Sequence, residues 1–197
     1  MSSQPIACLY LHGFLSSPLS GKAQEVLAYY REQGAEDRIR IPALPFEPET
    51  AIALAATQLQ ELQQQFGDVL VIGSSLGGFY ATWLADQFAI KAVLVNPAVR
   101  PHELFRHYLG PVTHYYTNDV HLLEERHLQQ LSAIAVTSIR YPQNLLVMLQ
   151  TGDETLDYRH AEELYQGCAL VLEEGGSHTF DGFIDHMAAI QAFATRA

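Results

Sequence analysis

Short apolar runs rich in Val, Ile and Leu recur along the chain at Ile6–Leu11, Val69–Ile72, Ala92–Val95, Leu145–Leu149 and Ala169–Leu172. Most are continuous rather than alternating, the pattern required of strands covered on both faces. Between them the period changes to that of a helix. Glu49–Phe66 places Ile52, Leu59, Leu62 and Phe66 on one stripe, and Leu76–Phe88 does the same with Leu76, Phe79, Trp83, Leu84 and Phe88. Strands alternating with helices predict an α/β chain with a mostly parallel central sheet, helices on both faces and right-handed crossovers. The rhythm breaks between Ala98 and about Pro142. This stretch carries a predicted helix from Asn118–Asp119 through Leu131 and, at such length, is expected to fold over one end of the sheet as a helical lid. The whole chain, 1–197, reads as a single domain with residues 98–142 inserted in it.

Composition narrows the class of function. With 11 Lys and Arg against 22 Asp and Glu the formal net charge is −11, which argues against a nucleic-acid or anionic-membrane surface, since both require a basic footprint. No run reaches the roughly 18 apolar residues of a membrane span, and the N-terminus lacks the basic and apolar regions of a secretory leader. Cys8 and Cys168 each sit inside an apolar run, where a cysteine behaves as a small hydrophobe, so a reducing cytoplasmic location is expected.

The chemistry concentrates at the ends of the apolar runs. Gly73-Ser74-Ser75-Leu76-Gly77 falls between a strand and a helix, and only Ser75 has glycines two positions to either side. A tight strand-to-helix turn brings backbones together, so Gly73 and Gly77 are required to lack side chains while Ser75 stands exposed as a nucleophile. A serine of ordinary pKa needs a base, and the base needs a carboxylate to fix its tautomer. Asp153 follows the strand LLVML, and His178 follows the strand ALVL and a glycine pair. The order Ser, Asp, His, with one residue after each of three strands, is the α/β-hydrolase arrangement.

Competitors exist for these places. Asp157 falls near the start of the helix Tyr158–Tyr165, where an acid caps, and Glu154 is expected to point away if Asp153 faces the site. For the oxyanion the backbone N–H groups of Phe14 and Leu76 are the candidate donors, with Gly13 permitting close approach and His12 bracing the loop. His102, His107, His114, His121 and His127 are spaced by five, seven, seven and six residues, unlike ligands one helical turn apart, so no metal is expected. With Phe105, Tyr108, Tyr115 and Tyr116 they are expected to roof an acyl pocket. Lys22, Arg100, Arg106 and Arg140 are the cations placed to meet a negatively charged substrate near its mouth.

The stretches LYLHGFLSSP, VIGSSLGGFYATWLA, VNPAVRP followed by YLG, LLVMLQTGDETLDYR and EEGGSHTF with Phe183 shortly after resemble the small bacterial α/β-hydrolase esterases of the YqiA type, the UPF0227 group. The resemblance runs nearly the full length of the chain. It implies an ester or acyl-thioester hydrolase with Ser75, Asp153 and His178 as its triad and neither metal nor organic cofactor. Three functions follow as expectations: a serine esterase on a small-molecule acyl ester, an acyl-CoA thioesterase on the same site, or a silent binding protein that keeps the fold without turnover.

Overall fold

In the computed structural model, which describes residues 4–196, alternate residues of the first four apolar runs enter opposite cores, while the last, Ala169–Leu172, lies at the sheet edge with Leu170 and Leu172 exposed. Strand β1 (Ala7–Leu11) sends Ala7, Leu9 and Leu11 to one side and Cys8 and Tyr10 to the other. This is why its five residues are all apolar although a strand has a period of two. The chain continues through α1 (Gly21–Glu32) and β2 (Ile39–Arg40) to α2 (Pro48–Phe66), β3 (Val69–Ser74), α3 (Leu76–Phe88) and β4 (Ala92–Val95). After the insertion come β7 (Leu145–Gln150), α6 (Tyr158–Leu164), β8 (Ala169–Glu173) and α7 (Met187–Ala194). The insertion itself holds α4 (Pro101–Leu104), β5 (Gly110–Thr113), β6 (Val120–Leu123) and α5 (Glu125–Ala133).

The six strands of the main sheet are parallel in the order β2-β1-β3-β4-β7-β8. Helices α2 and α3 pack on one face through Ala51, Ala55, Leu59, Phe79 and Leu84, and α1 and α7 pack on the other through Ala23, Val26, Ile190 and Phe193. The chain leaves β1 to one side for β2 and returns to the other side for β3. The loops after β1 and β3 therefore diverge at the sheet's carboxyl edge, where a parallel sheet opens a crevice.

All five expected strands and the helices over Glu49–Phe66 and Leu76–Phe88 are present, with boundaries within two residues. The expected helix from Asn118–Asp119 is corrected: it begins only at Glu125, because Val120–Leu123 pairs antiparallel with Gly110–Thr113. Val120 and Leu122 are exposed while Leu123 is buried, so this short stretch obeys a period of two. The insertion thus carries a β-hairpin as well as helices. Its hairpin is tied to the loop after β1 by Tyr115 N–H donating to the Leu15 carbonyl at 3.0 Å and by a His114 Nε2 contact of 2.9 Å to the Ser16 carbonyl.

His12, at the end of β1, is buried and holds two loops at once. Its Nε2 accepts the Leu44 N–H at 3.1 Å, which leaves Nδ1 as the protonated nitrogen that donates to the Gly13 carbonyl at 3.0 Å. Burial holds its pKa below the ordinary 6.5, opposed in part by the Gly13 carbonyl. The unfolded chain therefore takes up this proton at a higher pH than the folded one, so stability present above pH 6.5 is lost as the pH falls below it. For this one group the slope approaches about 1.4 kcal/mol per pH unit between the two pKa values. Urea denaturation at pH 7 and pH 5.5 is expected to show a larger loss for the wild type than for His12→Asn, which cannot titrate; equal losses would refute the assignment.

Candidate active site

Strand β3 ends at Ser74, α3 begins at Leu76, and the single residue between them carries the whole change of direction. Ser75 has φ 56° and ψ −120°, a conformation that costs an L-residue of order 1–3 kcal/mol and persists only when its surroundings hold it. Those surroundings are backbone hydrogen bonds: Ser75 N–H donates to the Val95 carbonyl at 3.0 Å, and the Ser75 carbonyl accepts from Gly78 at 2.9 Å and Ala98 at 3.0 Å. A Cβ on Gly73 would meet the carbonyl carbon of Gly77 at 2.5 Å, and one on Gly77 would lie 2.6 Å from the carbonyl carbon of Leu11. Gly13 lies against the serine itself, its virtual Cβ 3.3 Å from the Ser75 Cβ.

His178 Nε2 lies 3.1 Å from Ser75 Oγ, and its Nδ1 lies 2.8 and 3.0 Å from the two carboxylate oxygens of Asp153. A carboxylate accepts and does not donate, so Nδ1 carries the proton and the Nε2 lone pair faces the serine hydroxyl. The Asp153 side chain is 2% exposed and His178 is 21% exposed. Asp153 Oδ1 also accepts the N–H groups of Thr155 and Leu156 at 2.8 Å, which fixes the carboxylate in place. Asp157, the competitor, caps α6 by accepting the Arg159 N–H at 3.0 Å. Glu154 does not turn away from the site's framework as expected: its Oε2 accepts the His178 N–H at 2.9 Å, so adjacent carboxylates hold the ring and the backbone of one histidine.

Two buried amides complete the support, and the chemistry-bearing motifs did not single them out. Asn96, at φ 40° after β4, donates through Nδ2 to the carbonyls of Ser177 at 3.0 Å and His178 at 3.1 Å and accepts the Gln150 N–H at Oδ1. Gln150, the last residue of β7, accepts the N–H groups of Ser177 and Asp181 and donates to the Asp181 carbonyl. Only the left-handed backbone at an Asn directly after a strand hints at this in sequence, since Asn tolerates that conformation better than most residues.

The Phe14 and Leu76 N–H groups have no hydrogen-bond acceptor among the described residues, although Leu76 is buried. Phe14 belongs to the loop after β1 and Leu76 directly follows the serine. Both amides lie beside the Ser75 hydroxyl with their hydrogen-bonding capacity unspent. The cleft above them has a volume of about 1250 Å³ and is walled by Ser75, His178, Phe14 and, from the insertion, Phe105, Tyr108 and Tyr116. The insertion's histidines do not line it. His114 braces the hairpin, His121 stacks on Phe46 at 4.5 Å, and the buried His127 accepts the Glu124 N–H at 2.9 Å. Of the four expected cations only Lys22 lines the cleft; Arg100, Arg106 and Arg140 lie 3.6, 3.8 and 3.3 Å from Glu103, Glu125 and Asp86. Among the described residues no three His, Cys, Asp or Glu side chains converge as metal ligands, and no helix is long and apolar enough to cross a membrane. Cys8 and Cys168 are free thiols.

The parallel six-stranded sheet with a serine on its sharp strand-to-helix turn defines the α/β-hydrolase fold. The solved structures similar to this chain share it. The structure of Est1E from Butyrivibrio proteoclasticus with ferulic acid bound has a TM-score of 0.71 at 17% identity, covering 98% of this chain and 89% of that one. The monoacylglycerol lipase of Paleococcus ferrophilus has a TM-score of 0.68 at 14% identity, covering 96% and 94%. More specifically, residues 7–195 match the family model of UPF0227, described as an uncharacterised protein family, and the chain belongs to that family. A UPF0227 protein of Serratia proteamaculans is 27% identical over 193 residues, covering 95% of this chain and 98% of the relative.

Proposed function

We propose that this protein is a serine esterase that hydrolyses a small-molecule carboxylic ester through an acyl-enzyme on Ser75. The observation that carries this reading is the unbroken chain Asp153–His178–Ser75, with contacts of 2.8 and 3.1 Å, opening on a cleft. His178 Nε2 takes the Ser75 proton as Oγ attacks the acyl carbonyl, and Asp153 stabilises the imidazolium that results. The N–H groups of Phe14 and Leu76 receive the oxyanion, each worth about 3 kcal/mol of barrier lowering. His178 then gives its proton to the departing alcohol, and the same ring activates the water that releases the acid. That similar folds include an esterase domain from Rhodothermus marinus and a monoacylglycerol lipase agrees with hydrolysis of this kind.

The cleft favours the ester over its rivals. Acyl-CoA carries several phosphate charges, and Lys22 is the one Lys or Arg among the cleft's lining residues, so the thioesterase reading ranks second. A silent binding protein has no need for all three triad positions in hydrogen-bonded order. The two free thiols suit a reducing compartment, and we place the enzyme in the cytoplasm.

A fluorophosphonate probe tests the reading without knowledge of the substrate. Covalent labelling at Ser75, mapped by peptide mass, is expected together with turnover of p-nitrophenyl esters between acetate and palmitate, whose optimum reports the depth of the cleft. No labelling and no turnover would favour the binding protein, and turnover confined to acyl-CoA would favour the thioesterase.

A further inference from the structure

Lysine is scarce in this chain: there are two, Lys22 and Lys91, within a net charge of −11. Lys91 is occupied, its Nζ donating to the Phe193 and Ala194 carbonyls at 3.2 Å. Lys22 is not. It lies in the first turn of α1 and lines the same cleft as Ser75 and His178, with no hydrogen bond and no carboxylate within 4.0 Å among the described residues. Arg31, Arg100, Arg106, Arg126, Arg140 and Arg159, by contrast, each have a carboxylate within that distance.

An ammonium drawn into a wall without a contact partner is an uncompensated cost, and burial pulls the Lys22 pKa down to about 8. What the fold provides is the face of Phe183, 5.7 Å from Nζ, a cation–π contact that leaves the charge unneutralised. Two carboxylates act on it from a longer range. Glu25 is exposed one turn along α1, and Asp181 spends its Oδ1 on the Ser177 hydroxyl at 2.7 Å. Both line the same cleft, in which Lys22 is the one Lys or Arg side chain.

We propose that Lys22 receives a single carboxylate at the end of the substrate remote from the reacting carbonyl, so that the substrate class is an ester bearing one free carboxylate. This rests on the esterase reading and narrows it. A lysine suits a lone carboxylate as a point charge, whereas recognition of a phosphate cluster calls for several cations or an arginine fork.

The test compares mono-p-nitrophenyl glutarate with p-nitrophenyl valerate, which share a five-carbon acyl chain and differ in the terminal carboxylate. The wild-type ratio of kcat/KM, acid ester to neutral ester, is expected to exceed one, and Lys22→Met, which keeps a stem over Phe183, is expected to lower it about 10-fold through KM. Lys22→Arg is expected to keep most of the preference, and 0.5 M salt to erode it. A wild-type ratio below one, or a ratio unmoved in Lys22→Met, would overturn the proposal. Calorimetric binding of glutarate separates it from the catalytic reading. If glutarate binds wild type and Ser75→Ala but about 10-fold more weakly to Lys22→Met while neither ester turns over, the esterase reading fails and the Lys22 site stands. If both esters turn over and glutarate binds without regard to Lys22, the reverse holds.

Discussion

The Ser75→Ala variant is expected to lose about 10⁵-fold in kcat while remaining folded. The magnitude follows from the way such a unit fails: removing the nucleophile alone costs nearly as much as removing the whole triad, and only binding and oxyanion stabilisation survive. The fold is expected to survive because, among the described residues, the Ser75 side chain has one partner, His178 Nε2, and the bonds that hold the strained turn come from its backbone. Alanine suffers the same penalty at φ 56° as serine, so the strain is unchanged. Tm is expected to move by no more than a few degrees. The double variant Ser75→Ala/His178→Ala is expected to be scarcely slower than the single one, because a base without a nucleophile contributes little. Steady-state kinetics on the best p-nitrophenyl ester checks both statements, and residual activity within tenfold of wild type would place the nucleophile elsewhere.

The positions of Ser75, Asp153 and His178 are legible in sequence because each lies on the loop that follows a strand of a parallel sheet, and such a sheet brings all its strand ends to one edge. Five strands announce themselves for a related reason. In four of them burial on both faces makes every position apolar, a signal that needs no phase, while β8 is an edge strand whose Leu170 and Leu172 are exposed. The insertion is harder to read. Val120–Leu123 is four residues long and followed at once by Glu125–Ala133, so a period of two runs into a helical one with no glycine or proline between them. Helix α1 has a weak stripe, with only Ala23, Val26 and Tyr30 buried, and β2 is two residues of edge strand whose pairing depends on its neighbour. The roles of Asn96, Gln150 and Glu154 arise from contacts across 23 to 82 residues of chain, which no local pattern encodes. The five histidines of the insertion mislead in the other direction. Their number suggests a roof over the cleft, but none of them lines it, and His114 and His127 use their ring nitrogens on backbone N–H groups of the insertion's own turns.

Gly77→Ala is expected to be the most damaging single methyl group that can be added to the chain. Its Cβ would lie 2.6 Å from the Leu11 carbonyl carbon and 2.7 Å from the His12 carbonyl oxygen, all of them backbone atoms at the end of β1. No rotamer relieves a clash between backbones, so the first turn of α3 must move away from the sheet. That turn carries Leu76 and is anchored by the hydrogen bonds that hold Ser75 in its strained conformation. The movement therefore opens the core beneath Leu76 and Phe79 and separates the Phe14 and Leu76 amides from the serine in one step. A loss of about 4 kcal/mol or more is expected, at the extreme of single substitutions and close to the whole stability of many domains. Gly21→Ala is the matched control: an added Cβ meets nothing within 4 Å, the backbone is not left-handed, and a gain of about 0.5 kcal/mol is expected from the stiffer unfolded chain. Urea denaturation of the two variants side by side measures the difference. If Gly77→Ala proves as stable as wild type, the close approach of α3 to β1 is not what holds Ser75 over the cleft.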